Sequence, residues 1–417
     1  MSEFRDKTSW YMGLSAYWFS TSAKWFILLL VVLPGQVEKL VPGGEKGSYW
    51  GMVVAIGALW AMVGPSLFGY LSDRLLGKLG NRRIFLSLGA ALTVVALVVL
   101  MGANEIWVIV VGYLLLQISD DVGTGPYSAL IPELVPEDRR GRASGMMGLM
   151  TVAAQVFIGL YAIVFRSTAA IYIGLAVLNV LCAVWVLYSI KDARPIREQK
   201  PEVQGFFKGF LQGWVDPWKS RDFFWVWFTR FLNAFGFYLV QNYLRYYLTD
   251  TVRDFGFLGS GSENAGMATN VLALVISLTG ILGAAFASKA ADQMGRKKVI
   301  YLSGSLMAVL LVPFALVPNF MVILGLACFF GLGYGAYLSA DWALASDVLP
   351  NKDTPAKDMG VWSMSVTVVQ FFTGLVGFLI DSLNRVSAGR GYVVSFLMAA
   401  AFFFLSTVLV RQVKGST

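Results

Sequence analysis

Twelve stretches of about 20 mostly apolar residues, each long enough to cross a bilayer as a helix, dominate the chain. They lie near 11–33, 49–71, 84–103, 106–129, 143–165, 169–190, 223–248, 266–288, 299–317, 320–345, 361–381 and 391–410. A water-soluble fold has no interior large enough for them, so the chain is expected to be a multi-pass, all-helical membrane protein. Composition agrees: 57% of the 417 residues are apolar and 14% are charged, where soluble domains carry roughly 25% charge. The polar start, Met1 to Trp10, has no small-residue cleavage site after the first apolar run, which is therefore expected to be retained as a span.

An even number of spans places both termini on one side. With the termini inside, 24 of the 33 Lys and Arg fall in inner segments and 6 in outer ones. That imbalance orients the chain by the positive-inside rule and accounts for the net charge of +8 without nucleic acid. The longest inner segment, 191–222, separates residues 1–190 from 223–417, giving two six-helix bundles. Its first part is charged and Pro-containing. In its second part Phe206, Phe207, Phe210, Leu211, Trp214, Val215 and Trp218 recur at helical spacing. That spacing fits either a helix in the inner membrane interface or an apolar stretch packed on the bundle.

Several enzyme classes are excluded. There is no His, hence no imidazole proton shuttle, metal ligand or triad base. Cys182 and Cys328 stand inside apolar runs and read as small hydrophobes, with no disulfide framework. No nucleophile–base pair, metal-ligand cluster or phosphate loop is present, so neither an enzyme activity nor a cofactor is expected.

The two halves repeat. Gly69-Tyr-Leu-Ser-Asp73-Arg74, then Gly80, Arg82 and Arg83, follows span two; Asp292-Gln-Met-Gly295-Arg296-Lys297-Lys298 follows span eight. Ala129-Leu-Ile-Pro-Glu133-Leu-Val-Pro136 matches Ala343-Leu-Ala-Ser-Asp347-Val-Leu-Pro350, acid on acid and proline on proline. Repeated halves are the mark of a carrier that rocks one bundle against the other. The G-x-x-S-D-R loop with its following arginines resembles the signature of the major facilitator superfamily. The stretches from Gly64-Pro65 to Asp73 and from Gly125-Pro126 to Leu130 are similar to the sucrose/proton symporters and the melibiose-type (glycoside–pentoside–hexuronide) cation symporters. Ala61, Gly64 and Thr124 stand where melibiose-type carriers place acids, so their sodium site is not expected. Gln117 stands where the sucrose type has an acid, with Asp120 and Asp121 following.

Charges within spans cost about 2.5–3.5 kcal/mol each on insertion scales and mark function. Lys24 lies in span one, Asp120 and Asp121 in span four, Arg230 in span seven and Asp341 in span ten. The resemblance places these four spans around a central cavity. Lys24 is expected to pair with Asp120 or Asp121, and Arg230 with Asp341, either to couple proton movement to transport or as static pairs between helices. Gln117, Tyr238, Gln241, Asn242 and Trp342 are candidate substrate contacts, because amides bond hydroxyls and rings cover apolar faces. The resemblance implies a gate at the inner ends built from Asp73, Arg82, Arg83, Asp292 and Arg296, with Glu133 near Arg139, Arg140 and Arg142 serving likewise. Gly123, Gly125, Pro126, Gly331, Gly333 and Gly335 suit either a hinge or close packing.

The expected function is alternating-access transport of a small polar solute, with a sugar as the candidate that amides and aromatic rings suit, driven by protons and carried out by a monomer in the cell membrane. Two alternatives stay open: an exporter or flippase of amphipathic compounds or lysolipids, and a membrane receptor derived from a transporter.

Overall fold

In the computed structural model, residues 8–74, 78–128, 130–136, 139–191, 216–348 and 355–414 are described. They form a helical protein. The elements are α1 (Thr8–Ile27), α2 (Leu33–Leu40), α3 (Lys46–Ala61), α4 (Gly64–Arg74), α5 (Lys78–Met101), α6 (Ile106–Tyr127), α7 (Leu130–Leu134), α8 (Arg140–Val164) and α9 (Thr168–Ser189). There follow α10 (Arg221–Tyr247), α11 (Ser262–Met294), α12 (Arg296–Leu316), α13 (Phe320–Asp347), α14 (Pro355–Val386) and α15 (Arg390–Leu409). Among the described residues, eleven helices are long and apolar enough to cross a membrane. The expected interfacial segment 206–215 lies outside the described residues.

The second expected span is split, and Pro65 explains why. A proline ring collides with the carbonyl four residues earlier, which here belongs to Ala61, the last residue of α3. The chain turns at 62–63 and restarts as α4 with Pro65 as its second residue. Pro34 acts differently. The preceding Leu28–Val32 forms a π turn in which the Leu33 N–H reaches back to the Leu28 carbonyl, so α1 and α2 continue as one rod. A second π turn, Leu248–Val252, extends α10, matching the first span of the other half.

Helix ends follow local chemistry. The Asn319 side chain accepts from the N–H groups of Met321 and Val322 at 3.0 and 3.2 Å and starts α13. Gly295 and Gly389 precede α12 and α15 with φ of 87° and 81°, a conformation cheap only for glycine.

By its contacts the chain divides into two units, Met1–Leu40 with Ile56–Glu202, and Val41–Ala55 with Val203–Thr417. In the first unit α1 packs on α8 and α9, α5 on α6 and α9, and α4 on α6. In the second, α10 packs on α14 and α15, α12 on α13 and α15, and α11 on α13. Each of these neighbour relations of the first unit has its counterpart in the second, so the repeat seen in the loops extends to packing. The glycines of α6 and α13 serve close approach. A Cβ on Gly335 would collide with the Gly280 backbone, and one on Gly125 with the Pro65 carbonyl. Both helices run unbroken through them.

Residues 41–55 depart from the expected boundary at 190, since they pack in the second unit. Asp381 of α14 explains this. Its carboxylate accepts from the Gly47 N–H at 3.2 Å and from the Ser48 N–H and hydroxyl at 2.6 Å each, and so caps the start of α3. Lys46 pairs with Asp250 at 2.7 Å, and Tyr392 donates to the same carboxylate at 2.6 Å. Gly47 and Gly51 of α3 face Gly377 and Gly374 of α14 with no room for a Cβ.

Candidate functional site

The first unit buries a polar centre between α1 and α6. Thr21, Lys24 and Trp25 share one face of α1, being three and four residues apart, and all three reach Asp120. The Lys24 ammonium pairs with Oδ1. The Thr21 hydroxyl donates to the same oxygen at 3.2 Å, and the Trp25 indole N–H donates to Oδ2 at 2.7 Å. Both carboxylate oxygens are thereby satisfied, as a buried charge requires. Of the two acids expected as partners, Lys24 takes Asp120.

Asp121 stands about 100° further round the helix and is equally buried. The Gln117 amide donates to it at 3.3 and 3.4 Å. Its other side lies against Gly64 and Trp60: a Cβ on Gly64 would collide with Asp121 Oδ2 and crowd the Trp60 indole nitrogen. This centre therefore holds two carboxylates and one ammonium.

The second unit buries a polar centre between α10 and α13. Arg230 Nη1 pairs with Asp341 Oδ2, and the guanidinium lies 3.5 Å from the centroid of the Trp362 ring. Beside the pair opens a cavity of about 150 Å³. Arg230, Asn233, Phe237 and Tyr238 line it from α10, Tyr334 and Tyr337 from α13, and Val366 from α14. Phe237 and Tyr334 stack with centroids 4.3 Å apart and planes 4° apart, making a flat wall.

Three expected contacts lie elsewhere. Asn242 bonds Thr373 at 3.2 Å through its side chain, and its carbonyl accepts from the Trp50 indole at 3.0 Å. It joins helices and does not line the cavity. Trp342, one residue past Asp341 and so turned away from it, is 52% exposed and meets Trp362 edge-on. Gln241 is half-buried outside the cavity wall.

Where α4, α5 and α7 meet in the first unit, Arg82 Nη2 pairs with Glu133 Oε1 at 2.8 Å, and Nη1 bonds the Ser72 hydroxyl. Glu133 was expected to act with Arg139, Arg140 and Arg142; the partner that α5 brings to it is Arg82. Arg142 is exposed, donates to the Thr8 hydroxyl at 3.0 Å and lies over the Tyr11 ring. Arg83 donates to the Ile190 and Lys191 carbonyls, the latter at 2.6 Å, placing a cation where the end of α9 leaves carbonyls unpaired. Arg296 is the half-buried first residue of α12. The side chains of Asp73, Arg140 and Asp292 lie outside the described residues.

Sequence reasoning missed Asp381, Lys46, Asp250, Tyr337 and Trp362. Gly47 and Gly51 opposite Gly374 and Gly377 carried a signal for the first group, since paired small residues mark tight helix contacts.

The model of the Major Facilitator Superfamily matches residues 14–356 and 263–414. The chain belongs to that superfamily. It is therefore a membrane transporter and not an enzyme. A Multidrug resistance protein MdtG from Proteus mirabilis is 25% identical over 343 residues, 80% of each chain. A mutant of the nucleoside transporter NupG has the same fold, with a TM-score of 0.71 at 13% identity over 97% of this chain and 100% of that one. A bacterial homologue of the human lysosomal transporter Spinster gives a TM-score of 0.71 at 12% identity, over 96% of this chain and 95% of that one.

Proposed function

We propose that this superfamily member is a proton-coupled exporter of small amphipathic organic compounds. The observation that carries the reading is the inequality of the two buried centres. In the second unit Arg230 and Asp341 neutralise each other beside a cavity walled mainly by rings and aliphatic groups. In the first unit Lys24 is taken by Asp120, and Asp121 has an amide for a partner. An unpaired buried charge costs several kcal/mol, and a bound proton removes that cost. Asp121 is accordingly the proton carrier, and the second-unit cavity takes the cargo. The multidrug name of the relatives supports the exporter direction. Arg82, Glu133 and Ser72, with Arg83 and Arg142, form the first unit's part of the inner gate in this proposal, with both termini on the cytoplasmic side.

A second reading, sugar symport, draws on the Asn233 amide and the flat Phe237–Tyr334 wall of the second-unit cavity, which suit hydroxyls and a sugar face. Proteoliposomes under an imposed pH gradient separate the two. Chloramphenicol, an uncharged nitroaromatic amide, is expected to move with the gradient and sucrose is not, and Asp121→Asn is expected to abolish gradient-driven movement. Gradient-driven sucrose flux overturns the exporter reading, and full coupling in Asp121→Asn overturns the role of Asp121.

A further inference from the structure

Three residues that line the second-unit cavity, Arg230, Asn233 and Tyr337, carry buried polar atoms without partners, each of which can donate. Asn233 is 2% exposed, lines the cavity, and its amide nitrogen has no hydrogen-bond partner. Arg230 Nε, one helical turn away, has none either. Both are donors and neither can accept. Residues three apart on a helix are neighbours, so one acceptor group of a ligand can take both. Buried donors without partners cost free energy, which a ligand supplying an oxygen would recover.

Charge narrows the class further. Arg230 is already neutralised by Asp341 and held against the Trp362 ring. An anion entering here would leave a net negative charge in a low-dielectric site, and a cation would face the guanidinium. Shape narrows it again. The Phe237–Tyr334 wall is flat, and the volume of about 150 Å³ is of the order that holds one benzene ring.

We infer that this cavity is a subsite for an uncharged planar aromatic group bearing a hydrogen-bond acceptor, such as an aryl amide or aryl ketone. Aryl carboxylates and aryl ammonium ions are disfavoured. The inference rests on the carrier reading for its use, but it concerns binding and is tested without a gradient.

The experiment measures equilibrium binding to the purified full chain in detergent with three probes: benzamide, benzoate and benzylamine. Benzamide is expected to bind about tenfold more tightly than the other two, equal to about 1.4 kcal/mol. Asn233→Leu is expected to weaken benzamide about tenfold without lowering the melting temperature of the unliganded protein, because the amide nitrogen has no partner to lose. Val366→Trp, which fills the cavity from α14, is expected to abolish binding of all three. Equal binding of the three probes, or full benzamide affinity in Asn233→Leu or Val366→Trp, overturns the inference. If the binding pattern holds and chloramphenicol does not move with the gradient in proteoliposomes, the exporter reading fails and the subsite stands. If transport occurs without the pattern, the subsite falls alone.

Discussion

Arg230 is clamped between an acid and a ring: its guanidinium pairs with Asp341 and lies 3.5 Å from the centroid of Trp362. Removing either member of a buried ion pair leaves the other charge bare, which costs about 3–5 kcal/mol. Asp341→Ala is therefore expected to lower the thermal stability of the purified protein strongly, and Trp362→Leu to lower it less. Tryptophan or light-scattering melts measure both. Equal and small effects would show that the pair contributes nothing.

The Lys24–Asp120 pair gives an asymmetric result. Lys24→Met alone is expected to cost about 3–5 kcal/mol, whereas replacing both partners by apolar residues of similar size is often close to neutral. Lys24→Met with Asp120→Leu should recover part of the loss, but not all, because Thr21 and Trp25 also lose their acceptor. A double variant less stable than the single one would contradict this account.

Arg82 and Glu133 touch, so their substitutions should not add. A double-mutant cycle of Arg82→Ala and Glu133→Ala is expected to give a coupling of about 0.5–3 kcal/mol. The same cycle with Arg142→Ala, at an exposed side chain held by Thr8 and Tyr11, should give a coupling near zero. Chemical unfolding in detergent reads both cycles, and coupling of Glu133 to Arg142 would reverse the assignment.

Gly51 tests the close approach of α3 to α14. A Cβ there would strike the Gly374 carbonyl, and overpacking of this kind costs about 1–3 kcal/mol. Gly51→Val is expected to destabilise by that amount. Gly44→Val, with nothing within 4 Å of its Cβ position, should stay within about 0.5 kcal/mol of the parent. Melting temperatures of the two variants side by side decide it.

The spans were legible because a membrane helix must be apolar for its whole length. The mid-span charges stood out because their cost demands a partner, and two bases with three acids left few pairings. What stayed hidden depended on rotation and on distant packing. Trp342 follows Asp341 directly, and the 100° step turns it outward, so nearness in sequence to a buried acid misled. Glu133 has arginines close by in the chain, yet Arg82 on α5, 51 residues upstream, supplies a partner that proximity in sequence does not show. Asp381 sat at the end of an expected span, where an acid normally meets water. Only the first turn of α3 beside it shows that its oxygens are occupied.

Lys24 and Arg230 each find an acid inside their own unit, Lys24 on Asp120 and Arg230 on Asp341. During synthesis the early half can thus shield its ammonium before the later half has left the ribosome. The exception is 41–55, whose capping carboxylate is translated more than three hundred residues afterwards. That segment must wait, loosely seated, until the chain is almost finished, and a nascent protein stalled before Asp381 would expose it to quality-control proteases.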